Sequence, residues 1–303
     1  MILFGTNPIA WSNDDDWSIG DHLSLDDCLS DCREIGFDGI EKGHKMPDDG
    51  AGLKAALDGY ELRFAGGWFS TNILINDIDT EKARLKAWID FTRAAHGDHI
   101  NACECSNTVH GDDDIPVNDR PIMTDAQWER FSTGYEALSA FAHSHGVKMG
   151  YHHHMGTIIE SAADIDRFMD MAGPETRLLL DTGHAWFGGA DPAALARRYM
   201  DRVSHIHCKN VRPDIAKQVR DQKLSFLEGV RRGAFTVPGD AEGAVYFEPV
   251  LEAAARQGYS GWLVIEAEQD SAVRDPRHFQ DLGLRSLRRM AAKVGLDHTR
   301  ASG

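Results

Sequence analysis

Three short apolar runs decide the fold class of this chain: VKMGYHH at residues 147–153, RLLLD at 177–181 and VSHIHCK at 203–209. A stretch with helical periodicity precedes each run, so strand and helix patterns alternate through this part of the sequence. Alternating strand and helix units are typical of a parallel sheet that is covered by helices. These residues therefore predict an α/β fold.

The same alternation extends toward both ends of the chain. Further apolar runs occupy residues 2–9, 39–41, 62–68, 99–105 and 261–267, with helical patterns at 24–35, 80–95 and 125–145. Eight such units in 303 residues favour a closed (β/α)₈ TIM barrel over an open sheet, as a single domain over residues 1–303. An open doubly wound sheet usually carries a phosphate-binding loop, and neither GxGxxG nor GxxxxGK[ST] follows any of the runs.

Composition and net charge exclude some classes of binding partner. The chain has 48 acidic and 32 basic side chains and a formal net charge of −16, which opposes binding to nucleic acid. No apolar stretch approaches the roughly 20 residues that span a bilayer, and residues 1–11 do not resemble a signal peptide. We therefore expect no membrane partner and a cytoplasmic location. The five cysteines are expected to be free thiols, mostly buried.

One long connection interrupts the alternation of strands and helices. Residues 210–246 contain a polar, helix-compatible piece at 214–228 and a turn-rich piece at 236–240. A connection of this length on a barrel is often a lid over the active site, although an ordinary insertion is the alternative. We predict a lid insertion at about residues 210–246.

The residues at the ends of the last four predicted strands point to a metal site. His152, Asp181, His207 and Glu266 each lie where a strand ends, and the active site of a TIM barrel lies at the carboxyl ends of its strands. Four neighbouring nitrogen and oxygen ligands are difficult to explain as packing. Two histidines with two carboxylates suit Mn²⁺, Co²⁺, Fe²⁺ or Zn²⁺ better than Ca²⁺.

Each of these residues and its neighbours also has a structural interpretation. Asp181 could cap the turn that follows it, and His205 should lie deeper than His207 in a supporting position. His153 should point away from the barrel interior, whereas Glu268 should extend beyond the strand end, where it could meet solvent.

Polar residues also follow two earlier strands. Glu41, Lys42 and His44 come at the end of the second strand, and His110 follows the fourth. They would contact hydroxyl groups of a polyol substrate, or they belong to an ordinary hydrated loop.

Several motifs resemble the inosose dehydratase family of inositol catabolism, which belongs to the xylose-isomerase-like barrels. The resemblance extends from about residue 2 to about residue 295. The motifs that carry it are WSND at 11–14, EKGHKMP at 41–47, YHHHMGT at 151–157, LLLDTGH at 178–184, HIHCKNVR at 205–212, FTVPGD at 235–240 and IEAEQD at 265–270.

This resemblance implies a metal site and a cofactor. Related barrels hold one metal by Glu, Asp, His and Glu from strands five to eight, and Asp181, His207 and Glu266 match this pattern. His152 stands where most relatives have Glu, so that His154 or a water molecule is an alternative first ligand. The resemblance implies Mn²⁺ or Co²⁺ and is associated with a requirement for glutathione.

The implied reaction is the dehydration of 2-keto-myo-inositol (scyllo-inosose) to a trihydroxycyclohexane-dione, through loss of a proton next to the ketone and then of the β-hydroxyl. Glu41, Lys42, His184 and Lys209 are the candidate acids and bases, and His44, His154 and Arg212 are the candidate substrate contacts. The partner would be a cyclic polyol ketone, and a homo-oligomer is left open.

Three alternatives to the dehydratase remain at this stage. A sugar or inosose isomerase, or a ketose epimerase, would use the same metal and enediolate chemistry. An endonuclease-IV-like repair enzyme would need more metal ligands and a basic groove, which the net charge of −16 opposes. A polyol-binding protein without catalytic activity would bind its ligand without turnover.

Overall fold

A parallel sheet that curves into a barrel dominates the computed structural model, which describes residues 1–296. The strands are β1 (Ile2–Thr6), β2 (Gly39–Glu41), β3 (Arg63–Gly66), β4 (Trp68–Thr71), β5 (His99–Glu104), β6 (Lys148–His152), β7 (Arg177–Asp181), β8 (Val203–His207), β9 (Asn210–Val211), β10 (Phe235–Thr236) and β11 (Gly261–Ile265). Nine of them form the sheet in the order β3-β2-β1-β11-β8-β7-β6-β5-β4, while β9 and β10 form a short antiparallel pair.

The barrel closes through a strand that is split in two. β3 pairs with β2 and β4 pairs with β5, and only Gly67 separates these two strands in the chain. Gly66 adopts a φ of +139°, which glycine tolerates much better than other residues. The carbonyl of Gly66 accepts from the N–H of Lys42 at 2.9 Å, and that of Gly67 accepts from the N–H of Asn101 at 2.9 Å. The predicted eight-stranded barrel is therefore confirmed, with the predicted run at 62–68 divided at this glycine pair.

Helices surround the sheet and mostly begin at side-chain caps. Ser24, Thr124 and Ser161 each form a capping box at the start of a helix, which satisfies backbone N–H groups there. The predicted helical piece at 214–228 is two helices, α8 (Pro213–Asp221) and α9 (Phe226–Arg232). The helices are α1 (Leu25–Ile35), α2 (Gly50–Asp58), α3 (Ile78–Ala94), α4 (Asp125–Ser144), α5 (Ala162–Met171), α6 (Thr182–Phe187), α7 (Pro192–Tyr199), α8 (Pro213–Asp221), α9 (Phe226–Arg232), α10 (Glu248–Gln257) and α11 (Pro276–Lys293).

An aromatic cluster between β6 and its covering helices fixes the direction of the neighbouring side chains. The ring of Tyr151 lies 5.5 Å from Phe131, 5.1 Å from Tyr135 and 4.7 Å from Phe168, measured between ring centroids. Such aromatic contacts contribute about 0.5–1.5 kcal/mol each beyond their buried area. Because successive side chains of a strand alternate in direction, Tyr151 on the outer face places His152 inside the barrel.

Two further expectations concern the cysteines and membranes. All five cysteines are free, and Cys28, Cys32, Cys103 and Cys208 are buried, as predicted. Within residues 1–296, no helix is long and apolar enough to cross a membrane.

Candidate active site

Four side chains from four barrel strands meet at the carboxyl end of the sheet. His152 ends β6, Asp181 ends β7, His207 ends β8, and Glu266 directly follows β11. Each offers one ligand atom, these atoms lie within 4.8 Å of one another, and all four residues are buried. We call these residues the metal cluster.

Several polar atoms of the metal cluster lack a partner in the described part of the chain. Both ring nitrogens of His152 and Oδ2 of Asp181 are buried without a hydrogen bond. Oδ2 of Asp181 lies 3.4 Å from Nε2 of His152 and 3.5 Å from Nδ1 of His207. An unpaired buried polar atom costs about 1–3 kcal/mol, and a cation between these atoms would remove that cost. The cluster therefore fits a divalent ion that accepts mixed nitrogen and oxygen ligands.

Asp181 combines the two roles that the sequence left open. Its Oδ1 accepts from the N–H of His184 at 2.7 Å and caps the first turn of α6. This cap fixes the carboxylate so that Oδ2 remains directed at the histidines of the metal cluster. Capping and ligation are thus compatible, with one oxygen for each.

Glu41 lies behind the metal cluster rather than in the cavity, which corrects its expected role as an acid or base. Its Oε1 accepts from Nε2 of His207 at 3.0 Å, Nε2 of His205 at 2.9 Å and Nδ2 of Asn101 at 2.7 Å. Burial opposes ionisation, but the two histidines hold the pKa of Glu41 well below its usual value. These bonds hold the rings of His205 and His207 in fixed orientations.

Lys209 and His184 also lie beneath the surface of the site, which again differs from the prediction. Nζ of Lys209 lies 2.8 Å from Nε2 of His184, 2.8 Å from Oε2 of Glu268 and 3.0 Å from Oε2 of Glu266. Neither side chain is accessible to solvent. We call Lys209, His154, His184 and Glu268 the lysine cluster. Glu268, expected beyond the strand end, is buried here with 2% of its surface accessible.

A cavity of about 300 Å³ opens above the metal cluster. Of the predicted catalytic and substrate-binding residues, Lys42 and His154 line it directly. Nδ1 of His154 lies 2.8 Å from the carbonyl oxygen of Met155. Because a carbonyl only accepts, Nδ1 of His154 carries a proton, and Nε2 lies 3.8 Å from Oε1 of Glu268. Trp68 forms a wall of the cavity, with its ring centroid 5.4 Å from His152 and 5.7 Å from His154.

His44 lies at the rim of the cavity. Its Nδ1 is 2.7 Å from Oδ1 of Asp14, and its ring stacks on Trp17 with 5.1 Å between centroids. Asp14 lines the cavity and separates it from His44. Any effect of His44 on a ligand would therefore pass through Asp14 or Trp17.

Arg212 is not free to contact substrate, contrary to the prediction. Its guanidinium donates to Asp240 at 2.6 Å, to Glu242 at 2.8 Å and to the carbonyls of Gly233 and Phe235 at 2.8 and 3.0 Å. These bonds connect β9 to the turn-rich piece of the predicted lid. Arg212 therefore stabilises the 210–246 segment.

The 210–246 segment packs against the side of the site. The ring of Phe226 in α9 lies 5.0 Å from His154, and Phe235 in β10 lies 5.2 Å from His184. The segment thereby encloses the lysine cluster with apolar surface.

The sequence reasoning missed Asp15 and Trp68. Asp15 lies in the loop after β1 and lines the cavity, and 29% of its side chain is accessible. Burial raises the pKa of Asp15 to about 6. The run of three aspartates at 14–16 could have indicated a functional loop, because adjacent like charges repel one another and often mark a functional site.

Comparisons with known proteins agree with this architecture. Residues 29–290 match the family model described as xylose isomerase-like TIM barrel. The rhizopine catabolism protein MocC of Rhizobium meliloti is 39% identical over 97% of this chain and 90% of its own length. An inosose dehydratase of Lacticaseibacillus casei is 40% identical over 91% of this chain and 92% of its own.

A solved structure of the IolI protein with a bound zinc atom matches the fold. Its TM-score is 0.69 at 14% identity, covering 96% of this chain and 99% of the other. The family match spans most of the barrel, and the sequence relatives extend over nearly the whole chain. The chain therefore belongs to the xylose isomerase-like TIM barrel family.

Proposed function

We propose that this chain is a metal-dependent hydro-lyase of inositol catabolism. It removes water from 2-keto-myo-inositol and releases 3D-3,5/4-trihydroxycyclohexane-1,2-dione. The observation that carries the proposal is the metal cluster, with its unpaired buried atoms, at a polar cavity of about 300 Å³. Sequence identity of 38–40% to inosose dehydratases over at least 91% of this chain supports the choice of substrate.

The reaction needs charge stabilisation at the ketone and two proton transfers. His152, Asp181, His207 and Glu266 would hold a divalent ion, which would supply Lewis-acid stabilisation for the negative charge that develops when the α-proton leaves. Glu41 holds His207 in the orientation for ligation through the 3.0 Å bond to Nε2. These contacts keep the site prepared before substrate arrives.

His154 is the proposed base. Its Nδ1 is occupied by the carbonyl of Met155, so that Nε2 accepts the proton from the carbon next to the ketone. Trp68 contacts the same ring and limits its movement. Lys42, on the cavity wall, is placed to donate hydrogen bonds to ring oxygens through its ammonium group.

The proposal includes Mn²⁺ or Co²⁺ as the ion and a cytoplasmic location. Two histidines and two carboxylates suit either metal. Free buried cysteines are ordinary in a reducing compartment. A role for glutathione is tested best by adding it as a separate component.

The test uses the full chain freed of metal and then loaded with Mn²⁺ or Co²⁺, with and without glutathione. Loaded protein should convert 2-keto-myo-inositol to the dione, followed by its ultraviolet absorbance, while the metal-free protein should not. Absence of dione with every divalent ion would contradict the proposal. Deuterium entering recovered, rearranged ketone from D₂O without loss of water would instead identify an isomerase or epimerase.

A further inference from the structure

The loop after β1 places one of three consecutive aspartates in the candidate cavity without a hydrogen-bonding partner. Asp14 is tied to His44, and Asp16 is tied to Ser18 and to Arg231. Within residues 1–296, the carboxyl of Asp15 accepts no hydrogen bond, and its nearest basic group is Nε2 of His110 at 3.8 Å. Asp15 lines the same cavity as His152, His154, His207 and Glu266.

The backbone around Asp15 is fixed from within the loop. Asn13 is 1% accessible, and its Oδ1 accepts from the N–H groups of both Asp15 and Asp16 at 2.8 Å. The N–H of Asn13 donates to the carbonyl of Ile19 at 3.1 Å. These bonds to the buried Asn13 side chain hold the backbone of the turn at Asp15 in place before any ligand binds.

A second restraint comes from the 210–246 segment. Arg231 in α9 donates to Asp16 at 2.6 and 3.0 Å and to Asp113 at 2.7 and 2.8 Å. This guanidinium joins α9 to the two loops that carry Asp16 and Asp113. The neighbour of Asp15 is therefore anchored to the segment that encloses the lysine cluster.

The surroundings of Asp15 make its carboxyl a weaker acid than that of an ordinary aspartate. Burial raises its pKa to about 6, and the carboxylates of Glu268 and Asp14 add to this effect, while His154 and Lys209 oppose it. A carboxyl that holds a proton close to neutral pH is suited to donate it in catalysis. The titratable groups that face it are Asp14, His110, His154, Lys209 and Glu268.

We propose that Asp15 is the general acid that protonates the departing β-hydroxyl. This inference rests on the proposed dehydration. Nε2 of His154 takes the α-proton, and the electron pair of that C–H bond forms the enediolate. The C–O bond to the β-carbon then breaks as Asp15 transfers its proton to the leaving oxygen, which departs as water. The enol that remains ketonises to the dione, His154 releases its proton and Asp15 regains one from solvent.

The test separates the two halves of the reaction in the variant Asp15→Asn, which keeps the shape of the side chain. We measure dehydration of 2-keto-myo-inositol, exchange of its α-hydrogen with D₂O, and fluoride release from an analogue with fluorine in place of the β-hydroxyl. Loss of a general acid lowers a rate by about 10²- to 10⁴-fold. Dehydration should fall by that factor, whereas α-hydrogen exchange and fluoride release should stay within several-fold of the unsubstituted chain, because fluoride leaves without a proton.

Asp21→Asn is the matched control, since Asp21 is exposed on the same loop and should leave all three rates unchanged. Normal dehydration by Asp15→Asn would overturn the role of Asp15, and so would equal loss of all three activities. If the unsubstituted chain neither exchanges nor dehydrates with any divalent ion, the proposed function itself fails. The two failures are therefore distinguishable.

Discussion

Two polar clusters lie side by side at the carboxyl end of the barrel, and they differ in where their positive charge comes from. In the lysine cluster, the ammonium of Lys209 bonds to His184 and Glu268, so this group of residues carries its own cation. In the metal cluster, His152 and Oδ2 of Asp181 are buried without hydrogen bonds. Of these two clusters, only the metal cluster has buried polar atoms that a bound ion would satisfy.

The two clusters follow the same strands. His154, Lys209 and Glu268 each come two positions after a metal-cluster residue, just beyond the end of a strand, and they meet beside the metal cluster. Lys209 also approaches Glu266 at 3.0 Å, which couples the clusters electrostatically. Burial opposes its charge, but Glu266 and Glu268 raise the pKa of Lys209, so the lysine remains a permanent cation.

The largest expected effect comes from removing an oxygen ligand of the metal cluster. Asp181→Ala should lower the rate of dehydration about 10⁴-fold, because a catalytic metal contributes several kcal/mol of transition-state stabilisation. Steady-state kinetics at saturating Mn²⁺ measures this effect. Asp170→Ala, at an exposed aspartate of α5, is the control. A loss below tenfold would show that the metal cluster is not the catalytic centre.

The second-largest effect should be a loss of folding stability when the buried ammonium of Lys209 is removed. Lys209→Met leaves the carboxylates of Glu266 and Glu268 buried without their partner, and such a change costs about 3–5 kcal/mol. The free energy of unfolding in urea, measured without metal, gives the value. Lys217→Met, at a lysine whose side chain is 74% accessible, should change it little. Equal stability of the two variants would contradict the role given to Lys209.

A smaller effect, on metal affinity, is expected from Glu41, which lies behind the metal cluster. Glu41→Gln removes the charge that orients His207, and such supporting partners typically affect metal affinity or activity by about 10- to 100-fold. Titration of the metal-free protein with Mn²⁺ or Co²⁺ measures the affinity. Glu61→Gln, at an exposed residue, serves as the control. If Glu41 were instead the acid or base that the sequence suggested, affinity would be unchanged and only the rate would fall.

The smallest effect should come from the contacts over the barrel mouth. Arg231 is partly exposed, so its ion pairs to Asp16 and Asp113 contribute at most about 1 kcal/mol each. Arg231→Ala should therefore raise KM by about two- to fivefold through a looser mouth, with kcat nearly unchanged. Arg232→Ala, whose partner Glu228 lies within the same helix, should leave KM unchanged. A large drop in kcat with constant KM would contradict this interpretation.

The barrel and the metal cluster were predictable from the sequence, because the alternation of strand and helix patterns indicates both the fold and the positions of the strand ends. Strand periodicity places His152, Asp181 and His207 at strand ends, and the parallel order of the barrel brings such ends together. The split at Gly67 was less visible, because residues 62–68 resemble a single strand although β3 pairs with β2 and β4 pairs with β5.

The burial of the site side chains and their hydrogen-bond partners were not predictable from the positions of these residues in the sequence. Glu41 and Lys209 are charged residues at strand ends like the metal-cluster residues, but their side chains end beneath the cavity surface, where long-range neighbours take up their charge. Arg212 was misplaced for the same reason, since its partners Asp240 and Glu242 lie about thirty residues further along the chain. Asp15 was missed because no strand periodicity determines the direction of a loop side chain.

Metal content per chain tests most directly the claim that the ion belongs to the metal cluster. It should be measured by elemental analysis after loading and desalting, for the unsubstituted chain and the variants Asp181→Ala and Glu268→Gln. We expect one ion per chain in the unsubstituted protein and in Glu268→Gln, and none in Asp181→Ala. Retention of the ion by Asp181→Ala together with its loss from Glu268→Gln would place the ion in the lysine cluster and contradict its assignment to the metal cluster.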